Sequence, residues 1–316
     1  MADLRDPYRG ADANNTTKSS AFGVQGVDVS RYQGDYDWDL AMGAGEACFG
    51  FARASIGFGD TDSKFMANWK AMADRGLLRG AYHFAYPKSV AAGKSVEDDA
   101  HDEARYYCDT LRAAEQSVHG GKPMYDGRTL PPVLDYEQKS PWTAAQKRAW
   151  ITRWILTVQE ELQRGVILYT GEHVWTEELE GDPWLTGLPL WVAHYTDTAA
   201  PKMAPWTRWV LWQWSGGGEA GDIYEKVHGA YFPGDEKAGA VDVDAFWGSH
   251  EALTSLADPR WDRWLVDADG TIGKNPHAAF SVTGEPVGEP ASVGEALAKL
   301  RQARALIDEA IASLEG

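Results

Sequence analysis

Cysteine and long apolar runs are scarce in this sequence of 316 residues, and both absences limit the classes of protein to which it can belong. With only Cys48 and Cys108, the chain can form at most one disulfide, which excludes a disulfide scaffold and a cysteine-rich zinc module. No segment approaches the ~18 consecutive apolar residues of a membrane-spanning helix, so we expect no membrane insertion. A chain of this length can instead bury a large core without covalent crosslinks.

Positively charged residues are also fewer than negatively charged ones. Lysine and arginine total 30 against 47 aspartates and glutamates, which gives a formal net charge of −17. Such a chain lacks the general basic face that attracts a phosphate backbone, so we expect no nucleic-acid partner. Residues 1–21 mix both charges without an apolar segment, and they are typical of a flexible arm rather than a secretory signal peptide.

Aromatic residues, by contrast, are abundant, and many fall in short apolar segments flanked by Gly or Pro that are typical of β-strands. Helical spacing of apolar residues follows each of the first four segments. This alternation predicts a parallel sheet of the α/β class. Eight strands predict a closed TIM-like β/α barrel, irregular where the later connections lack a helical pattern. The strand segments are 22–30, 48–56, 79–87, 131–137, 165–171, 188–195, 209–215 and 240–246; the helical segments are 37–46, 62–76, 94–116 and 142–163.

The composition changes after residue 248 and divides the chain into a barrel and a tail. We expect the barrel to span 22–248, and a linker or strap rich in Gly, Pro, Ser and acidic residues to span 249–291. Residues 292–316 have a helical period, with an apolar seam over 293–314. This C-terminal helix either docks on its own domain or forms a short coiled coil that joins copies of the chain into a homo-oligomer, and the sequence favours neither.

Carboxylates recur where the predicted strands end, and in a parallel barrel those ends share one face. Asp135 and Glu137 lie two residues apart on the fourth strand, so both side chains point the same way. Two carboxyl groups beside aromatic rings raise each other's pKa, so that one can act as a general acid while the other stays ionised. This division suits hydrolysis of a glycosidic bond. Asp28 and Asp242 at other strand ends favour such a site.

Two other interpretations of these carboxylates stay open. They could bind Mg²⁺ or Ca²⁺ through oxygen ligands, or they could pair with Lys or Arg at the strand ends. Zinc is less favoured because His83 and His194 are far apart in the sequence and no H-E-x-x-H motif occurs. We expect both histidines to be structural and hydrogen-bonded, and we predict no metal and no cofactor.

The strand motifs, taken in order, resemble those of the family 25 glycoside hydrolases, the Chalaropsis-type lysozymes that are common among bacteriophage endolysins and bacterial autolysins. The resemblance covers about residues 22–248. It implies a barrel of five β/α units plus three strands, and an N-acetylmuramidase that cleaves the β-1,4 bond between N-acetylmuramic acid and N-acetylglucosamine in peptidoglycan. The matching segments are GVDVSRYQGDYDW, GAYHFAYP, PPVLDYE, ILYTG, LPLWVAHY, VLWQWS and AVDVDAF.

The resemblance also implies roles for individual residues. Glu137 matches the general acid/base and Asp135 the assisting carboxylate. Two routes stay open, a substrate-assisted route with net retention and an inverting route in which another carboxylate activates water, and the resemblance favours the first. Asp28 matches the first strand's aspartate, and Asp242 that of the last motif, where this chain has Asp244 in place of the usual Asn. We expect Asp242 to face the site. The predicted substrate-binding residues are Tyr82, Tyr86, Tyr169, Trp191, Tyr195, Trp212 and Gln213.

Two segments exceed the family pattern: an acidic helix with a Gly/Pro loop over 88–130, and a Gly-rich loop over 216–239. Either could shape the groove, but we favour a solvent-facing insertion for the charged helix. The expected partner is bacterial peptidoglycan, and the rival function is a non-catalytic wall-binding or virion structural protein on the same barrel. Without a signal peptide, the expected location is the host cytoplasm until release to the cell wall, or the extracellular space by another route.

Overall fold

The computed structural model describes residues 24–43, 47–119, 126–181, 188–195, 209–216, 241–246 and 248–257, together with Leu185, Pro201 and Trp206. Four predictions therefore lie outside the described residues: the N-terminal arm over 1–21, almost all of the Gly-rich loop over 216–239, the linker from 258 to 291, and the C-terminal helix over 292–316.

The described strands form one sheet that closes into a barrel, because the first strand pairs with both the second and the last. A short strand, β3, pairs only with β2 and leaves eight strands in the closed ring. All eight predicted strand segments are confirmed. The strands are β1 (Gln25–Val29), β2 (Phe49–Ile56), β3 (Asp60–Thr61), β4 (Leu78–Phe84), β5 (Val133–Asp135), β6 (Ile167–Gly171), β7 (Leu190–Ala193), β8 (Leu211–Ser215) and β9 (Asp242–Phe246).

The last barrel strand runs against the predicted direction. Around the closed ring, the neighbours from β1 through β2 and β4 to β8 pair in parallel, whereas β9 is antiparallel to both β8 and β1. The predicted parallel sheet is therefore confirmed for seven strands of the ring, and β9 is the exception. An antiparallel neighbour needs no crossover helix, which suits a connection whose sequence has no helical pattern. As a result, the beginning of β9 lies at the end of the barrel where the other strands finish.

Helices occupy the connections in the first half of the barrel, as the spacing predicts. Two of them begin with a reciprocal capping box: Thr143 and Gln146 form one before α4 (Ala144–Leu162), and Ser95 with Asp98 forms one before α3 (Val96–His119). Trp69, Trp150 and Trp154 are fully buried, which confirms their expected packing role. The helices are α1 (Trp38–Gly43), α2 (Phe65–Asp74), α3 (Val96–His119), α4 (Ala144–Leu162) and α5 (His250–Leu256).

The acidic helix α3 belongs to the barrel wall, which corrects the expectation of a solvent-facing insertion. One face of α3 is apolar and packs against α4 and β2. Glu103 on α3 is buried and bonds His83 Nε2 at 2.9 Å, while His83 Nδ1 bonds Ser55 Oγ at 2.9 Å. This Ser–His–Glu chain is inaccessible, so it links β2, β4 and α3 rather than forming a nucleophile site, and the structural assignment of His83 is confirmed.

The tail begins with a helix where a linker was expected. Ser249 caps α5 by accepting a hydrogen bond from the Ala252 backbone N–H, and Leu253 and Leu256 are fully buried. Apolar residues at helical spacing therefore keep 250–256 on the barrel. Both cysteines are free thiols, Cys108 buried and Cys48 partly exposed. Across the described residues, the helices are too short or too polar to cross a membrane.

Candidate active site

A pocket of about 440 Å³ opens at the end of the barrel where the parallel strands finish. Its size suits a small ligand or a segment of a polymer. The pocket gathers nine of the eleven predicted site residues, and it adds six others. The predicted residues are Asp28, Tyr82, Asp135, Glu137, Tyr169, Trp191, Tyr195, Gln213 and Asp242; the additional ones are Ser30, Tyr32, Gln33, Arg53, Phe84 and Gly216.

Strand alternation explains why Asp135 and Glu137 both reach the pocket. Tyr136 between them faces outward, where it is buried with its ring centroid 5.9 Å from that of Trp150. Thr170 Oγ1 donates a hydrogen bond to the Tyr136 carbonyl at 3.0 Å and holds this end of β5. The residues on either side of Tyr136 must therefore face inward.

The two carboxyl groups differ in their surroundings. Asp135 is 5% exposed and its Oδ1 has no hydrogen-bond partner, whereas Glu137 is more open to the pocket. Burial raises the pKa of Asp135 well above its usual value, and the charges of Glu137 and Asp28 raise it further. The pair therefore retains a proton to higher pH than an exposed carboxyl group would, which is the property that a general acid requires.

Asp28 lies at the end of a chain of side-chain hydrogen bonds. Gln213 Nε2 donates to Asp28 Oδ2 at 2.7 Å, and Gln213 Oε1 accepts from the hydroxyl groups of Tyr169 at 2.7 Å and Tyr195 at 3.1 Å. The two phenols fix the orientation of the amide and so aim its N–H group at Asp28. Burial raises the pKa of Asp28 to about 6, although the Gln213 hydrogen bond and the Arg53 charge act in the opposite direction.

The antiparallel strand β9 contributes two aspartates on one face. Asp242 lies opposite Asp28 in the register and lines the pocket, as expected. Asp244 is two residues further along β9 and is fully buried below the pocket floor. Its Oδ1 accepts a hydrogen bond from Trp191 Nε1 at 2.9 Å.

Arg53 supplies positive charge to this acidic pocket, and the sequence analysis missed it. Its Nε donates to Asp62 Oδ2 at 2.9 Å, and both side chains are almost completely buried. The Arg53 Nη2 atom is buried without a hydrogen-bond partner. The sequence contains one sign of this role. Arg53 is the only charged residue in the apolar strand segment FGFARASI, and it falls on the same face of the strand as Phe49 and Phe51. Those two rings fill the barrel interior, so Arg53 also faces inward.

Aromatic rings form the walls of the pocket. The Trp191 ring lies 5.2 Å from Tyr169 and 6.5 Å from Tyr82, in edge-to-face contacts. Burial raises the pKa of both tyrosines well above 10, so their hydroxyl groups stay protonated. Tyr32 and Tyr195 are more exposed at the rim, where they offer ring faces to a ligand.

Trp212 and Tyr86 are not among the pocket residues. Trp212 precedes the inward-facing Gln213 on β8, so alternation places it on the outer face, where its Nε1 donates to the His194 carbonyl at 2.7 Å. Tyr86 lies beyond the end of β4, is 45% exposed, and carries the Lys88 ammonium over its ring. Their predicted place in the groove therefore has no support in the geometry. The acidic, histidine and cysteine residues within the described ranges form no group suited to hold a metal ion.

Comparisons with known proteins match this chain to one family. The family model described as glycosyl hydrolases family 25 matches residues 27–223. Lysozyme M1 of Streptomyces globisporus is 29% identical over 256 residues, which cover 79% of this chain and 76% of that protein. The N,O-diacetylmuramidase of Chalaropsis sp. is 29% identical over 202 residues, which cover 60% of this chain and 87% of that protein.

Solved structures share the fold as well. The crystal structure of a bacterial lysozyme from Streptomyces coelicolor aligns with a TM-score of 0.56 and 30% identity, covering 75% of this chain and 97% of that one. The family match spans more than half of the chain, and it includes the strands that supply Asp28, Asp135 and Gln213 to the pocket. The chain therefore belongs to the family 25 glycoside hydrolases.

Proposed function

We propose that this protein hydrolyses the β-1,4 bond between N-acetylmuramic acid and N-acetylglucosamine in peptidoglycan. The observation that carries the proposal is the convergence of four carboxyl groups in one aromatic-walled pocket: Asp28, Asp135, Glu137 and Asp242. Paired carboxyl groups catalyse glycoside hydrolysis, and aromatic rings stack on the apolar faces of sugars. The names of the relatives, lysozyme and N,O-diacetylmuramidase, support the same substrate class.

Glu137 is the proposed general acid/base because it is the more open member of the pair. An acid must reach the glycosidic oxygen to deliver its proton, and Glu137 is less buried than Asp135 among the residues that line the pocket. Glu137 gives its proton to the leaving oxygen as the bond breaks. It then takes a proton from the water that completes hydrolysis.

Asp135 is the proposed assisting carboxylate. In a substrate-assisted route, the 2-acetamido oxygen of the substrate attacks the anomeric carbon, and Asp135 accepts a hydrogen bond from the acetamido N–H. The Asp135 Oδ1 atom, buried without a partner, is free to accept such a bond. Arg53 lines the pocket and its Nη2 has no hydrogen-bond partner, so it is the proposed donor to a sugar oxygen.

The proposed activity is tested by clearing of isolated cell walls, followed by mass analysis of the released fragments. Muropeptides with a reducing N-acetylmuramic acid end support the proposal, and fragments cut at any other bond contradict it. Zymography on purified peptidoglycan separates the enzyme from a non-catalytic wall-binding barrel. The latter would bind to the wall without producing a cleared band.

Net retention is the expected stereochemical result of the substrate-assisted route. Two successive inversions at the anomeric carbon restore the starting configuration. Proton NMR of a muropeptide oligosaccharide during early hydrolysis should show the β-anomer first, before mutarotation. Initial release of the α-anomer would reject the route and would require a carboxylate that activates water directly.

A further inference from the structure

Asp244 is a buried carboxyl group that the proposed reaction does not use. It lies on the inward face of β9, two residues from Asp242 and diagonally across from Asp28 on β1. The Trp191 indole N–H satisfies Oδ1, but Oδ2 is buried and has no N–H or hydroxyl donor. A charged carboxylate in this position would leave one oxygen without compensation, which is costly in a protein interior.

The Asp244 carboxyl group lies beside another acid. The Asp28 and Asp244 side chains are within hydrogen-bonding reach of each other, and Asp28 already accepts the Gln213 amide N–H at 2.7 Å. Carboxylate oxygens are acceptors only, so two of them form a hydrogen bond only when one carries a proton. Asp28 lies nearer Arg53 and the pocket opening, and Asp244 lies deeper.

We propose that Asp244 is protonated at neutral pH and donates a hydrogen bond to Asp28, so that the two groups together carry a single negative charge. Asp244 is then a positioning residue, which holds the Asp28 carboxylate in the pocket from below while Gln213 holds it from the side. Any effect of Asp244 on glycan cleavage rests on the proposed function. The proton that Asp244 shares with Asp28 does not depend on that function.

The charges around the pair support this distribution of the proton. Burial raises the pKa of Asp244 well above its usual value, and the negative charges of Asp28 and Asp242 raise it further. Burial also raises the pKa of Asp28, but Gln213 and Arg53 limit that rise to about 6. Five other titratable residues interact with this pair or with the carboxyl groups beside it: Tyr82, Asp135, Glu137, Tyr169 and Tyr195.

A shared proton has a definite consequence for stability. Between the unfolded pKa of an aspartate, about 3.9, and the higher pKa of the folded pair, the native state binds more protons than the unfolded chain. Stability from this pair is therefore greatest at low pH and falls as the pH rises through that range. The Asp244→Asn substitution would remove the loss while keeping an amide N–H for Asp28 and a carbonyl for Trp191.

The first test compares the thermal midpoints of the full chain and of Asp244→Asn from about pH 4 to about pH 8. We expect the variant to gain over the unmodified protein as the pH rises, with the gain levelling off above the pKa of the pair. A difference that is independent of pH, or that falls with pH, overturns the proposal. Asp62→Asn is the matched control: it removes another buried aspartate, but one that pairs with Arg53, so its midpoint should fall.

A second measurement does not require Asp244→Asn to fold. The infrared carbonyl band of a protonated carboxylic acid is recorded near pH 8 in the Asp135→Asn/Glu137→Gln/Asp242→Asn triple variant, which lacks the three other carboxyl groups of the pocket. We expect the band to persist, and its absence overturns the shared proton. Neither measurement uses glycan cleavage. If both contradict the shared proton, the proposed hydrolase function still stands. If both support the shared proton and the protein does not cleave glycan, the shared proton still stands.

Discussion

Glu137→Gln is expected to slow glycan cleavage by at least ~10²-fold without lowering the thermal midpoint. The amide keeps the shape of the side chain but cannot deliver a proton to the leaving oxygen. It also removes a negative charge that raises the pKa of Asp135, so the folded state loses an unfavourable interaction. Initial rates of wall clearing and a thermal unfolding curve, measured on the same preparation, check both parts.

Two comparisons make this result specific. Glu160→Gln changes an exposed glutamate on α4, away from the pocket, and should have the activity of the unmodified protein. Co-sedimentation with intact walls should show that the Glu137→Gln protein still binds its substrate, because the aromatic walls are unchanged. Full clearing activity in this variant would show that Glu137 is not the acid, and loss of wall binding would point to a binding role instead.

Arg53→Met is expected to cost about 3–5 kcal/mol of unfolding free energy, the usual penalty for removing one partner of a buried ion pair. Asp62 is 1% exposed and would retain only the backbone N–H groups of Arg31, at 3.0 Å, and Lys64, at 2.9 Å. Asp28 and Asp135 would also lose the cation that opposes the rise of their pKa. Urea denaturation followed by tryptophan fluorescence measures the change.

Arg31→Met provides the matched comparison for this prediction. Arg31 pairs with Asp60 at 3.2 Å, but both side chains are well exposed to solvent. Exposed pairs contribute about 0–1 kcal/mol, so this variant should remain close to the unmodified protein. Equal losses in the two variants would mean that burial does not determine the strength of the Arg53 pair.

Much of the site could be predicted because strand alternation is a strict rule. Asp135 and Glu137 are two apart, so whichever face one takes, the other takes too. The same rule explains the difficulty with Trp212 and Gln213, which are adjacent and cannot both face the pocket. The sequence alone does not say which of the two faces is inside. That choice depends on the neighbouring strands, which here place Gln213 between Asp28 and two tyrosines.

Other features depend on tertiary structure and leave little trace in the sequence. The direction of β9 is set by its pairing with β8 and β1, and the segment VDVDAF would suit a strand of either direction. The sequence does not reveal that Arg53 forms a buried ion pair, because its partner Asp62 lies across a short hairpin and is identified only by the structure. The acidity of α3 suggested an exposed insertion, because the apolar face that packs on the barrel is hidden among charged residues.

The reversed strand also determines which end of the barrel is suited to attaching another group to this protein. Because β9 runs toward the opposite end of the barrel, the chain passes from Phe246 into α5 on the side away from the pocket. Arg164 ties that end by donating to the carbonyls of Leu256 and Thr129. A fluorescent reporter or a surface-attachment tag introduced at this end of the barrel would thus lie behind the groove. An immobilised enzyme built this way would present its open face to a cell wall.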